Sequence, residues 1–118
     1  MDAEEARRFA LSLPEATEQP HFESASFRIR GRIFATLPPQ GDRLHVFVDE
    51  DETRAAVEED PAAFHELWWG KKLSGVRVDL AAASVSAERV SELIEEAWRR
   101  RAPKRVVAAY DAARGGSG

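Results

Sequence analysis

Residues 26–37 of this 118-residue chain read SFRIRGRIFATL, and this stretch decides the fold. Successive side chains of an extended chain point to opposite sides, so Phe27 and Ile29 fall on one side and Arg28 and Arg30 on the other. The Gly-Arg step that follows suits a tight turn, and apolar residues then recur at alternate positions. The pattern predicts a β-hairpin with one apolar face in the core and arginines on the outward face.

Further strands are expected on the C-terminal side of this hairpin. Residues 38–42 (PPQGD) have strong turn chemistry, and the alternation of apolar residues over 44–48 predicts a third strand. Three successive strands with short links indicate an antiparallel meander with one buried face. A later alternation over 76–80 predicts another strand, with residues 71–73 as its candidate partner across a Ser-Gly turn.

Helix signals precede and follow the meander. The N-terminal segment has capping-box spacing that starts at Asp2, an apolar stripe, and a stop at Pro14. The polar residues 15–23 are expected to form a connector. A second helix is expected to be capped by Asp49 or by Asp51.

The segment 61–69 is also expected to be helical. Asp60 has N-cap chemistry, a proline follows at the first helical position, and Gly70 has the character of a helix end. In this interpretation Trp68 continues the buried apolar stripe, whereas Trp69 points away from it. The four residues from Trp69 onward, WGKK, then have two interpretations: the rim of a nucleic-acid site, or only a junction between a helix and a strand.

The C-terminal part of the chain is expected to contain one more helix. Ser86 caps it, Pro103 marks its end, and the basic residues 99–101 lie in its last turn, where the helix dipole favours cations. A single domain is expected to cover residues 1–107, and residues 108–118 are expected to be a flexible tail.

Together these elements predict a small α+β domain in which an antiparallel sheet packs against helices, in the order α-β3-α-β2-α. One core is expected to bury apolar residues from every part of the domain. Its members are Phe27, Ile29, Leu44, Val46, Val76, Val78, Leu93 and Trp98.

Composition narrows the classes of function. The formal net charge is −4, which argues against a strongly basic nucleic-acid binder. The charge is nevertheless segregated: residues 49–66 carry eight acids against one base, whereas residues 97–118 carry six bases against one acid. Such segregation either steers a polyanion to one side of the molecule or belongs to solvated helix and strand faces.

Several kinds of site are excluded by what the sequence lacks. There is no cysteine, so disulfides, thiolate metal sites and a cysteine nucleophile do not arise. The apolar runs are too short to span a bilayer and the N-terminus is acidic, so a cytoplasmic protein is expected. The three histidines lack the spacing of metal ligands. Glu15, Glu18 and His21 are the candidate acid–base cluster, and nothing in the sequence fixes their geometry. No catalysis, cofactor or metal is therefore expected.

The sequence resembles the YjbR/MmcQ-like family over residues 5–105. The most specific stretches are LPEATEQPHF at 13–22, SFR at 26–28 and GRIFA at 31–35, followed by WWGK at 68–71. The family's fold is a small unit with the order α-β3-α-β2-α, related to the secretion-chaperone-like group, and its hairpins have been likened to a double wing. Members are commonly labelled DNA-binding, so the resemblance implies a DNA-binding protein.

The residues expected to contact nucleic acid are Arg28, Arg30, Arg32, Trp69, Lys71, Lys72 and Arg77. The cations would meet phosphates from two hairpin wings, and Trp69 would stack on a base. The alternative is a non-enzymatic module that binds a partner protein or a small ligand, with the acidic segment 49–66 as its contact face. A contiguous patch of cations favours DNA, and carboxylates among the cations favour the alternative. The sequence carries no signal for an oligomeric state.

Overall fold

A computed structural model of the chain describes residues 1–39 and 41–115. The helices are α1 (Ala3–Ser12), α2 (Glu50–Glu59), α3 (Ala87–Arg101) and α4 (Lys104–Gly115). The strands are β1 (Ala16–His21), β2 (Ser24–Ile29), β3 (Arg32–Leu37), β4 (Arg43–Val46), β5 (Phe64–Trp69) and β6 (Lys72–Asp79). The predicted caps are present at α1, α2 and α3, where Asp2, Asp49 and Ser86 each accept a backbone N–H of the first turn.

The strands form one antiparallel sheet in the spatial order β1-β2-β3-β4-β6-β5. The chain leaves the sheet after β4, forms α2, and returns at the far edge as β5, so that β6 can pair with β4. Helices α1 and α3 pack near β1 to β4, and α2 packs against β5 and β6. The predicted class, a single α+β domain with an antiparallel sheet against helices, is confirmed.

The hairpin predicted from residues 26–37 is present as β2 and β3. Arg30 and Gly31 at its turn have φ of 50° and 80°, which is the pair of left-handed residues that a tight hairpin turn requires. Phe27 lies opposite Ala35 and Arg28 opposite Ile33, so Phe34 is an extra residue in β3. This β-bulge turns Phe34 into the interior, although simple alternation had placed it on the other side.

The predicted core is confirmed for all eight residues, each of which is essentially inaccessible to solvent. Trp98 of α3 is the largest of the fully buried side chains, and its indole Nε1–H donates to the Pro14 carbonyl oxygen at 3.0 Å. The ring of Tyr110 from α4 meets the Trp98 ring edge-on, with 5.0 Å between centroids. The core thus joins both ends of the described chain to the sheet.

The predicted pairing of residues 71–73 with the strand over 76–80 was wrong, because one continuous strand, β6, runs through the expected Ser-Gly turn. Two other local predictions were also wrong, and each missed a strand. The predicted connector 15–23 contains β1, whose exposed polar side chains are held in the sheet by backbone pairing with β2. The predicted helix over 61–69 is a single turn followed by β5. Asp60 does accept the backbone N–H groups of Ala63 and Phe64, but this capping closes one turn only. The aromatic residues after it favour a strand that pairs with β6.

More of the C-terminal part is helical than predicted. Helix α4 runs from Lys104 to Gly115, so the boundary expected at residue 107 falls inside a helix. Arg99 of α3 holds α4 in place through Asp111, with 2.6 Å between Nη2 and Oδ1. Residues 116–118, the end of the predicted tail, lie outside the described residues. No helix in the described ranges is both long and apolar enough to cross a bilayer.

Candidate functional site

The sheet has a second face, opposite the helices, and the strand register assigns residues to it. Side chains directly opposite each other on paired strands lie on the same face. Thr36 is opposite His45, His45 is opposite Arg77, and Arg77 is opposite His65. These four residues alternate with core residues along their strands, so they form a row across the second face. Two histidines and an arginine are thereby brought together from separate parts of the sequence.

A groove of about 710 Å³ runs over part of this face and around one end of the sheet. Thr36 and His45 line it together with the apolar side chains of Ile33, Phe47 and Leu67. The hairpin between β1 and β2 contributes Phe22, and the hairpin between β5 and β6 contributes Trp68, Trp69 and Lys72. Arg100 and Arg101, at the end of α3, also line the groove.

Three large aromatic side chains in this groove are exposed to solvent. Phe22 is 93% exposed, Trp69 is 82% exposed and Trp68 is 49% exposed. Trp69 is more open than Trp68, as predicted, whereas the prediction that Trp68 is buried was wrong. Trp68 lies in β5 rather than on a helix stripe, and its Nε1–H donates to the Glu66 carboxylate at 3.1 Å. Rings exposed to this extent at one site are unusual for a surface that contacts only water.

Phe22 carries a second unusual feature, which is a left-handed backbone. Its φ is 57°, a conformation that strongly favours glycine and that a bulky residue rarely adopts. The ring is held edge-on against the ring of His21, with 4.7 Å between centroids. A phenylalanine that is both strained and exposed contributes little to folding, so its presence at the groove is better explained by contact with a ligand.

The residues predicted to contact nucleic acid are partly brought together. Trp69 is paired with Lys72 across β5 and β6, and both line the groove. Lys71 lies in the turn between these strands and is exposed. Arg77 lies in the row across the second face. Arg28 is on the same face, where its Nε–H donates to the Ser26 hydroxyl at 3.0 Å.

The two other predicted arginines do not extend this patch. Arg30 forms an ion pair with Glu15, with Nε–Oε1 at 2.9 Å, and this hydrogen bond lowers the pKa of Glu15. Arg32 is opposite Ile29, on the helix side of the sheet, and its Nη1–H donates to the Arg101 carbonyl oxygen at 3.4 Å. A carboxylate therefore interrupts the predicted patch at Arg30. Among the described residues, the other predicted cations make no ion pair.

Sequence reasoning missed Arg100 and Arg101 as site residues because it assigned the whole basic run to the end of a helix. That assignment holds for Arg99, which pairs with Glu95 and Asp111, and these partners raise the pKa of its guanidinium. Residues on a helix are about 100° apart, so the next two arginines point elsewhere. Their direction away from α4 and toward the groove could have been anticipated only from the position of the sheet.

The candidate acid–base cluster does not form. The Glu15 carboxylate is bound to Arg30, and the Glu18 carboxylate accepts from Arg7 Nε at 2.6 Å, while His21 lines the groove. Both carboxylates are therefore occupied by guanidinium groups. Within residues 1–39 and 41–115 there is also no group of three or more His, Asp and Glu side chains that could hold a metal ion.

His45 is the titratable residue at the centre of the second face. Its pKa is lowered from the ordinary value of 6.5, mainly by burial and further by the positive charges of Arg77 and Arg43. The imidazole is therefore neutral at pH 7, with one nitrogen able to accept a hydrogen bond and the other able to donate one.

This lowered pKa predicts that the protein becomes less stable as the pH falls through about 6.5. Above that pH, His45 is neutral in both the folded and the unfolded chain. Below it, the unfolded chain takes up a proton that the folded chain resists, so unfolding is favoured. Urea unfolding at pH 8.0 and at pH 5.5 measures the loss, and pH 5.5 is still above the range in which the carboxylates titrate. The loss should be smaller in His45→Gln, and an equal loss in that variant would rule out His45 as its source.

Comparisons with known proteins agree with the fold. The family model described as YjbR matches residues 11–100. The crystal structure of Deinococcus radiodurans protein DR2400, with the family-model domain DUF419, is similar with a TM-score of 0.73 and 21% sequence identity, over 90% of this chain and 85% of that chain. A likeness at this level of identity establishes the fold alone. A comparison with curated protein sequences gives no match.

Proposed function

Because the chain belongs to the YjbR family, a small α+β family that is not known for enzymes, we propose that it is a non-catalytic protein that binds single-stranded DNA in the groove. In this proposal the bases stack on exposed aromatic rings, and the phosphates contact cations beside them. The acidic remainder of the surface keeps non-specific affinity low, which suits a protein with a net charge of −4.

The proposal rests on one exposed tryptophan ring beside cations that make no ion pair among the described residues. Trp69 is 82% exposed, is paired across the hairpin with Lys72, and shares the groove with Arg100 and Arg101. Stacking of a base on an aromatic side chain is worth about 1–3 kcal/mol, and it works with every base because each has a π face. A groove with rings and cations along it is the usual construction of a site for single strands.

A single strand fits this geometry better than a duplex. The bases of a duplex are stacked on one another, so the rings of Trp69 and Phe22 have nothing to stack on. A duplex would instead be contacted through the wing cations and their row of phosphates. That row is weakened because Arg30 is neutralised by Glu15 and Arg32 lies on the helix side of the sheet.

We expect a fluorescein-labelled oligothymidylate to bind more tightly than a duplex of the same length, as measured by anisotropy at 50 mM salt. If Lys72 neutralises one phosphate and Arg100 and Arg101 together neutralise another, log K should fall with log[salt] at a slope of about −1.4, since each phosphate of a single strand contributes about −0.7. Tryptophan emission should be quenched on binding. Trp98 is buried in the core, so the quenched fraction reports on Trp68 and Trp69.

Two ring variants and one charge control accompany this measurement. Trp69→Ala should weaken binding by about 5- to 150-fold, which corresponds to the loss of about 1–3 kcal/mol of stacking. Phe22→Gly should also weaken binding but should change stability by less than about 1 kcal/mol, because relief of the left-handed strain offsets the added freedom of glycine. Arg8→Gln on α1 alters an exposed arginine outside the groove and should bind as the parent does. The proposal is wrong if no single strand binds at tens of micromolar protein, or if the duplex binds more tightly.

A second candidate function is the binding of a small planar ligand in the same groove. Its volume of about 710 Å³ lies in the range of small-molecule sites, and Asp49 and Glu50 add two carboxylates to the lining. Oligonucleotide length separates the two candidates. Affinity that rises from a mononucleotide to an oligomer of about ten residues supports the strand, and affinity that is already complete for a mononucleotide supports the small ligand.

A further inference from the structure

Three guanidinium groups meet at the end of the groove where α3 ends. Arg100 and Arg101 are the final two residues of α3, and Arg32 reaches the end of α3 from the start of β3. Arg100 donates through Nη1 to the Phe47 carbonyl oxygen at 2.6 Å, and Arg32 donates through Nη1 to the Arg101 carbonyl oxygen at 3.4 Å. Backbone carbonyl oxygens fix these two side chains, and the guanidinium groups keep most of their N–H donors.

The cluster has no carboxylate to balance its charge. In the part of the chain that the structure describes, no ion pair involves Arg32, Arg100 or Arg101. The pKa of Arg101 is lowered by burial first and then by the charges of Arg100 and Arg32, so both of these groups repel the Arg101 guanidinium. The nearest acids of the groove lining are used elsewhere. Asp49 caps α2, and Glu50 is 4.0 Å from Arg54.

Arg101 also has an unmet hydrogen bond. Its Nε atom is shielded from solvent, and within residues 1–39 and 41–115 it has no acceptor. A buried donor without an acceptor destabilises the fold, and like charges held together destabilise it further. An anion with several oxygen atoms relieves the repulsion between the guanidinium groups, and it supplies the missing acceptor when the Arg101 side chain turns to bring its Nε–H toward the anion. The planar fork of a guanidinium matches the oxygens of a phosphate group better than any other common partner.

We propose that Arg32, Arg100 and Arg101 form a binding site for a phosphate group at the end of the groove. The site is inferred from the arginine cluster alone and does not need the proposed function. The natural ligand that we assign to the site, a phosphate of the bound strand, rests on the proposed function. A free phosphate compound has the same chemistry, so the experiment includes both sources. Arg100 and Arg101 line the same groove as Trp69 and Phe22.

Pyrophosphate is the probe for the site in the absence of DNA. Millimolar pyrophosphate should raise the Tm by several degrees above sodium chloride of equal ionic strength, and should shift the Nε–Hε resonance of Arg101 in a ¹⁵N-correlated NMR spectrum. The double variant Arg100→Gln/Arg101→Gln should lose the rise in Tm, while Arg8→Gln should keep it. If the double variant does not fold, the shift of the Arg101 resonance in the parent protein still tests the site. A parent spectrum unchanged by pyrophosphate overturns the site.

Binding of the single-stranded DNA is tested with the same variants, so that the phosphate site and the proposed function can be refuted separately. Arg100→Gln/Arg101→Gln should weaken the binding of oligothymidylate at least tenfold and make the salt slope shallower by about 0.7, for the one phosphate contact that is lost. Unchanged affinity and slope overturn the assignment of a strand phosphate to this site but leave single-strand binding through Trp69 intact. Pyrophosphate binding without any strand binding does the reverse: it upholds the site and refutes the proposed function.

Discussion

Replacement of Gly75 with alanine is expected to be the most damaging single change in the sheet, with a loss of about 3 kcal/mol or more of unfolding free energy. Gly75 lies in β6, where the end of β4 crosses close to it. An added Cβ would lie well inside the contact distance of the Val46 carbonyl oxygen and 3.0 Å from the Phe47 Cα. These neighbours are backbone atoms, so no side chain can rotate to make room. The two strands must separate where Val46 and Val76 pair.

Urea unfolding followed by circular dichroism measures this loss, and Gly115→Ala is the matched control. Gly115 ends α4, and a Cβ added there meets nothing within 4 Å. That control should change stability by less than about 0.5 kcal/mol, as surface substitutions usually do. A Gly75→Ala protein that unfolds at the same urea concentration as the control would mean that β4 and β6 are not in contact at this point.

Trp98→Ala is expected to have the second large effect, a loss of about 3–5 kcal/mol. The Trp98 side chain is completely buried, so its removal leaves a large cavity between α3, the sheet and α4. Trp98→Phe isolates one part of this effect. It keeps an aromatic ring in place but leaves the Pro14 carbonyl oxygen without its donor, which should cost about 1–3 kcal/mol.

The exposed tryptophan provides the comparison for this prediction. Trp69→Ala removes a ring that is mostly in solvent, so it should change the free energy of unfolding by less than about 0.5 kcal/mol while weakening strand binding. A loss below about 1 kcal/mol for Trp98→Ala would contradict the packing described for α3. A similar loss for both tryptophans would mean that Trp69 is packed in the fold and not available to a ligand.

The sequence was sufficient where short-range signals agreed with the tertiary fold. The hairpin at residues 26–37 combined strict alternation with a turn that needs glycine, and both are local properties. The core stripe of α3 was equally clear, because apolar residues recur at helical spacing behind a serine cap: Val90, Leu93, Ile94, Ala97 and Trp98. Each of these segments carries enough apolar residues on one face to exclude the other secondary structure.

The sequence was insufficient where pairing with a distant strand decided the conformation. Residues 16–21 have no apolar face, and only the backbone of β2 makes them a strand. Leu67 and Trp68 have helical spacing from Phe64, yet this apolar run is too short to separate a helix from a strand. The groove was not predictable for a related reason. It combines two hairpin tips with the end of α3, and the spacing of these residues in the sequence contains no trace of that arrangement.

The return of the chain to the far edge of the sheet also has a kinetic consequence. Every other pair of neighbouring strands in the described sheet is consecutive in sequence and can zip from its own connection. The pairing of β4 with β6 joins Val46 to Val76, which are 30 positions apart. The loss of chain entropy on closing this loop opposes the pairing until contacts between the two strands have formed. We therefore expect the four-stranded meander and the β5–β6 hairpin to form first, and their docking, at the glycine that tolerates no methyl group, to be the slow step of folding.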